Sequence, residues 1–159
     1  MSVERLFCEE TRRVDFVAAF NKGLDAAQIA EKNKHEIDSV FDELNKQLAE
    51  VAHGRVKFER KECLKNNDDG LLSGSRVAFR DMKYQALCAM NPLSPQSPAK
   101  EIATWRQNRM GYPCKISFGT KEHYCEDKFT LENALALMLQ DPIVGENLAK
   151  LVALSEASA

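Results

Sequence analysis

The apolar residues in the first third of the chain recur at helical spacing. Ile37, Phe41, Leu44, Leu48 and Val51 follow one another at intervals of four, three, four and three residues, which places them along one side of a helix. A coiled coil is typically sustained over three or four heptads, and this stripe covers about two. We therefore expect the helix to pack on a sheet of its own chain, with pairing across a dimer as the alternative.

Two further patterns divide this helical third into shorter pieces. Gly23 stands where a helix C-cap is expected, and Asp25 and Gln28 form a capping-box pattern that opens a new helix. The offsets of a helix-turn-helix unit are met by Ile29, Ala30, Val40 and Leu44. That unit lacks its turn glycine, however, and three carboxylates on its second helix would repel phosphate. The sequence predicts two helices before residue 53. It argues against DNA recognition by these helices.

From residue 53 the apolar positions change to a period of two. Apolar and charged residues alternate over residues 55–61 and again from residue 76, which predicts one strand and then one or two more before residue 90. Residues 91–98 contain three prolines and predict a surface loop. A three-stranded meander is predicted over residues 101–107, 113–118 and 122–126. Pro113 suits the first position of a strand or an edge strand.

The last part of the chain returns to helical spacing. Thr130 is an N-cap candidate for a helix that continues through Leu131 and Met138. Asp141 followed by Pro142 ends that helix and begins another. Because helices, strands and helices follow in blocks, we predict an α+β fold with a small antiparallel sheet covered by N-terminal and C-terminal helices.

Chain length and composition set the domain organisation. A chain of 159 residues fits one domain over residues 1–159, helical in 1–52 and 128–159 and mainly strands in 53–127. No apolar run approaches the roughly 20 residues that span a bilayer, and the N-terminus has no apolar signal region. We expect a cytoplasmic protein with no membrane contact. Its five cysteines are expected to be reduced and mostly buried.

Charge is distributed unevenly along the chain. Residues 1–52 hold 7 Lys or Arg against 11 Asp or Glu, residues 53–121 hold 13 against 6, and residues 122–159 hold 2 against 7. A basic sheet bearing aromatic residues resembles in composition a single-strand nucleic-acid surface, but the overall charge of −2 weakens that interpretation. The candidate binding residues are Arg55, Lys57, Arg76, Arg80, Lys83, Trp105, Arg106, Arg109, Tyr112 and Lys115.

Cys114, His123 and Cys125 lie within twelve consecutive residues. Their spacing matches no standard zinc template, and a fourth ligand would have to come from an isolated cysteine. A reactive thiol needs a helix N-terminus, a cation or a histidine in hydrogen-bond contact, and none is indicated here. We expect no metal, no cofactor and no catalytic residue, and we interpret the cysteines as small apolar packing residues.

These observations favour a non-catalytic binding or regulatory protein over an enzyme. The predicted partner is another protein or a second copy of the chain. Nucleic acid bound on the basic, aromatic-bearing sheet is the first alternative. A thiol- or zinc-dependent enzyme centred on Cys114, His123 and Cys125 is the second.

Overall fold

Three helices lie on one face of a five-stranded antiparallel sheet in the computed structural model, which describes residues 13–64 and 83–154. This arrangement confirms the predicted α+β fold, in which helices come before and after the strands along the chain. The elements are α1 (Phe16–Val51), β1 (Lys57–Leu64), β2 (Lys83–Met90), β3 (Lys100–Asn108), β4 (Gly111–Phe118), β5 (Lys121–Cys125), α2 (Lys128–Gln140) and α3 (Pro142–Val152). Among the described residues, no helix combines the length and apolarity that crossing a membrane requires.

The strands follow one another in the sheet in the same order as in the sequence. Each neighbouring pair is antiparallel, so the predicted meander extends to all five strands. The proline-rich residues 91–98 form the connection between β2 and β3. The buried side chain of Asn91 holds the first residues of this loop in place. Its Nδ2 donates to the carbonyl oxygen of Leu151, and its Oδ1 accepts from the backbone N–H of Leu93, each at 2.9 Å. The predicted strand residues 76–82 lie outside the described residues.

α1 is a single helix of 36 residues rather than the predicted two. It begins at the N-cap Asp15, whose carboxylate accepts from the N–H of Ala18 at 3.0 Å, and it runs unbroken through Gly23 and Lys34. The helix-turn-helix pattern is therefore wrong, since there is no turn between its two halves. Glycine ends a helix when the chain turns left-handed there, and the φ of Gly23 is not in that region.

The core lies between α1, α2, α3 and the covered face of the sheet. Ile37 and Phe41 are buried, and Leu44 and Leu48 are half-buried against the core. This confirms that the apolar stripe packs on its own sheet, although Val51 at the end of the stripe is exposed. The Phe41 ring meets the indole of Trp105 edge-on, with the centroids 5.3 Å apart, a favoured geometry for aromatic pairs.

α1 approaches the sheet closely at the turn between β3 and β4. Gly111 has a φ of +88°, and a Cβ built there would lie 2.6 Å from the Cβ of Asn33. Asn33 Nδ2 donates to the carbonyl oxygen of Met110 at 2.9 Å. Because β4 begins at Gly111, Pro113 is the third residue of a central strand and not a first or edge residue. It stands at a register shift, without a paired residue in β3 or β5, so its missing N–H breaks no ladder.

Two aspartates begin the C-terminal helices. Asp127, not Thr130, is the N-cap of α2, and the Thr130 side chain completes a capping box with it. Hydrogen bonds from Thr130 hold the pKa of the Asp127 carboxyl below its usual value. Asp141 caps α3 by accepting from the N–H groups of Ile143 and Val144, with Pro142 at the first helical turn, as the sequence predicted.

Candidate functional site

The helices leave one face of the sheet uncovered by any described helix. Strand register determines which side chains point to this face, since alternate residues of a strand point to opposite sides. We call it the open face. Its residues are Lys57, Glu59, Lys61, Cys63, Tyr84, Ala86, Cys88, Met90, Glu101, Thr104, Arg106, Lys115, Ser117, Glu122 and Tyr124.

A row of four side chains crosses the open face from β2 to β5. Arg106 is opposite Lys115, and Lys115 is opposite Tyr124. Tyr84 continues the row on β2, because the adjacent register pair is Gln85 and Trp105. Two cations therefore lie between two tyrosines. We call these four residues the Tyr–Arg–Lys–Tyr row.

The row borders two adjoining depressions in the surface. The larger has a volume of about 900 Å³ and is lined by Tyr84, Arg106 and Lys115 together with Glu101 and Thr104. The smaller, about 410 Å³, shares Arg106 and Lys115 and adds Tyr124. Both are shallow and open. They resemble a surface for an extended segment more than an enclosed small-molecule cavity.

Carboxylates neutralise most of the positive charge on this side of the sheet. Glu59 lies 3.8 Å from the Nζ of Lys57 and 3.5 Å from that of Lys61. Lys115 Nζ lies 3.6 Å from Glu122 and 5.7 Å from the Tyr124 ring centroid. Such exposed ion pairs contribute little to stability, but together with Glu101 they reduce the cationic excess that the sequence suggested to a single charge.

Arg106 and Tyr84 differ from the other polar residues of the row. Arg106 is exposed and forms no ion pair with any other described residue. The Tyr84 hydroxyl donates to Glu101 Oε2 at 2.8 Å. This hydrogen bond to the Glu101 carboxylate is the main cause that raises the pKa of Tyr84 to about 12. The row thus offers one unneutralised guanidinium beside a phenol that stays protonated.

The structure divides the predicted site residues between several places. Lys57, Arg106 and Lys115 lie on the open face, Lys83 lines the larger depression, and Arg109 is exposed in the β3–β4 turn. Arg76 and Arg80 lie outside the described residues. The structure therefore brings Arg106 and Lys115 together on the open face. Lys83 borders the same depression, but the strand register directs its side chain away from that face, and its Nζ lies 3.7 Å from Glu62.

Three predicted residues belong to the helix side instead. Trp105 is only 3% exposed and packs under Phe41, so it is a core residue and cannot stack on a ligand. Tyr112 is half-buried, and its hydroxyl donates to Glu36 Oε1 at 2.9 Å. Arg55 Nη1 donates to the carbonyl oxygen of Val152 at 3.4 Å, which links the start of β1 to the end of α3.

Cys114 and Cys125 are opposite one another on β4 and β5, and both are buried. Burial raises the pKa of Cys114 to about 12 and that of Cys125 to about 11, so both stay protonated and are poor nucleophiles. The ring of His123 stacks on Phe118 with centroids 5.3 Å apart. Within residues 13–64 and 83–154, no group of three or more His, Cys, Asp or Glu is placed to hold a metal ion. The geometry gives no support to thiol or zinc chemistry here.

Tyr124 is the residue that sequence reasoning missed. Its alternation with half-buried His123 and buried Cys125 indicates that it points outward, but only the register shows that it ends the row. No family model, curated protein or solved structure matches this chain. The candidate site therefore rests on the chain's own geometry.

Proposed function

We propose that this chain is a non-catalytic binding protein that holds a protein partner on the open face of its sheet. The observation that carries the proposal is the Tyr–Arg–Lys–Tyr row beside a depression of about 900 Å³. Tyrosine and arginine are enriched at protein interfaces and among the residues that dominate binding energy. The partner we propose is a segment with a carboxylate for Arg106 and an apolar or aromatic side chain for the tyrosines.

Charge separates this proposal from nucleic-acid binding. A surface that holds nucleic acid needs a net excess of cations facing the phosphates. The open face carries Lys57, Lys61, Arg106 and Lys115 against Glu59, Glu101 and Glu122, an excess of one charge. A mixed surface of this kind suits a protein partner, whose own surface also carries both signs.

The first test locates the interface by photocrosslinking. A photoreactive phenylalanine analogue at Tyr124 should crosslink a protein partner in cells, whereas the same analogue at Phe129 on α2 should not. Tyr124 and Phe129 are both exposed aromatics, 66% and 71% respectively, and they belong to different sides of the fold. Equal crosslinking from both positions would contradict a site on the open face.

The second test measures affinity for the purified crosslinked partner. Arg106→Glu should raise Kd by about 10-fold or more, because it replaces the cation that meets the partner's carboxylate. Lys46→Glu is the matched control, since Lys46 is also exposed and forms no ion pair with another described residue, but lies on α1. An equal loss for both variants would show a general charge effect and contradict the proposal.

Nucleic acid is the second candidate, favoured by the adjacent cations Arg106 and Lys115 between two tyrosines. It predicts retention on heparin and an affinity that falls steeply with salt. Nuclease treatment before purification separates the two candidates. A partner that survives the nuclease and still depends on Arg106 supports the protein interface, whereas a complex that the nuclease destroys supports the alternative.

A further inference from the structure

The N-terminal part of α1 extends beyond the core, and no other helix or strand in residues 13–64 and 83–154 covers it. Ala30 is the first buried residue of the helix, and residues 16–29 form a stretch of about 21 Å at 1.5 Å per residue. This stretch carries large apolar side chains that remain in contact with solvent, including Phe20 at 66% and Leu24 at 50% exposure. Contiguous exposed apolar surface of this kind usually marks an interface.

The exposed residues form a seam with heptad spacing. Val17, Phe20, Leu24 and Ala27 follow at intervals of three, four and three residues, the spacing of the a and d positions of a coiled coil. We call these four residues the α1 seam. Continued along the helix, the same positions reach Glu31, Lys34 and Asp38, which are charged. The seam therefore ends where the helix meets its own core, and it is distinct from the stripe that begins at Ile37.

We propose that a second copy of this chain covers the α1 seam, with the two helices antiparallel. A two-fold axis near residue 22 places Phe20 opposite the partner copy's Leu24, and Val17 opposite the partner copy's Ala27. Arg13, just before the helix, then lies near the partner copy's Glu31. The seam is thus complementary to itself in the antiparallel direction, with apolar residues at its centre and opposite charges at its two ends.

Charge favours this direction over a parallel pair. In a parallel pair Arg13 would face Arg13 and Glu31 would face Glu31, and like charges at such positions are destabilising. The other charged residues of the stretch, Asp15, Lys22 and Asp25, fall at helical positions away from the seam. They oppose neither direction.

Gly23 supports a close approach by a second helix. A Cβ built at Gly23 meets nothing within 4 Å in the described structure, and its φ lies outside the left-handed region, so the protomer itself gives no reason for a glycine that weakens the helix. Gly23 lies at a heptad position beside the seam. In the antiparallel pair it faces Gly23 of the partner copy, so the two helix backbones can approach closely there.

The experiment measures the association of the full chain by sedimentation velocity over a range of concentrations. The parent chain should dimerise, and Leu24→Glu should raise the dimer dissociation constant by about 100-fold. Ile29→Glu is the matched control, because Ile29 is also exposed, at 54%, on the same stretch but off the seam. Circular dichroism shows whether each variant keeps its helices. A monomeric parent chain would overturn the proposal, as would equal losses from Leu24→Glu and Ile29→Glu.

A charge exchange tests the direction of the pair. Arg13→Glu alone should raise the dissociation constant by about 3- to 10-fold, because it places two carboxylates together at each end. Adding Glu31→Arg should restore the parent value in an antiparallel pair. It would leave like charges facing each other in a parallel pair, so a failure of the exchange to restore association would overturn the antiparallel arrangement.

Discussion

At the scale of single residues, the lack of a side chain at Gly111 allows α1 to dock close to the β3–β4 turn. Gly111→Ala should lower the free energy of unfolding by about 2–3 kcal/mol, because it adds a left-handed alanine and forces the new Cβ against Asn33. Gly119→Ala is the matched control, since Gly119 also has a positive φ, +59°, but nothing lies within 4 Å of its built Cβ. It should cost about 1 kcal/mol. Urea unfolding measures both, and equal losses would show that contact with Asn33 is unimportant.

At the scale of elements, Phe41 is the main link between α1 and the sheet. Phe41→Ala should destabilise the fold by about 3–5 kcal/mol, since the ring is buried against Trp105 and below the Arg60 guanidinium at 4.6 Å. Phe129→Ala on α2 removes an exposed ring and should change stability by less than about 0.5 kcal/mol. The fluorescence of Trp105, the single tryptophan, follows the unfolding. A small effect of Phe41→Ala would place the docking of α1 elsewhere.

Elements whose cues are local could be predicted from the sequence. The Asp141–Pro142 helix start, the proline-rich loop and the turns of the three-stranded meander each depend on a few neighbouring residues. α1 was divided in error because a glycine can end a helix or be carried within one. In a helix of 36 residues, packing of its C-terminal part outweighs the weak stop signal at Gly23.

The face of Trp105 could not be predicted because the strands are not regular. β2 and β3 change register between Leu87 and Cys88, and β3 and β4 change it again between Gln107 and Asn108. Each irregularity inserts a residue and breaks the alternation that assigns a side chain to a face. These irregularities decide which face is covered, but none lies between Trp105 and Arg106. As consecutive residues of β3 they point to opposite sides of the sheet, so grouping them as one site was an error.

At the scale of the whole molecule, the labelling rate of buried thiols measures how often the entire fold opens. Burial is the main cause that raises the pKa values of Cys88, Cys114 and Cys125 to about 11, 12 and 11. In a Cys8→Ser, Cys63→Ser, Cys88→Ser variant, which leaves no thiol on the open face, a thiol reagent at pH 8–9 should react with Cys114 and Cys125 only as fast as the fold opens, although ordinary thiols ionise in that range. In urea the reaction should be complete on mixing. Fast labelling of the native protein would show that the region around β4 opens locally.

The two proposed interfaces belong to different parts of the fold, so they should act independently. Arg106→Glu should leave the association of the chain unchanged, and Leu24→Glu should leave the affinity of a single site for its partner unchanged. A dimer would present two open faces, and a partner with two binding segments would then gain avidity when both engage.

The order of the elements along the chain also determines which parts of the core are present at each stage of synthesis. α1 is synthesised before the strands, yet Ile37 and Phe41 are buried in a core completed by residues of β3 and β4. While those strands are being made, the nascent helix exposes both its core stripe and the α1 seam to solvent. Each later strand pairs with the one just made, so the sheet can grow hairpin by hairpin. The long first helix is therefore the described element that spends the longest time without its packing partners.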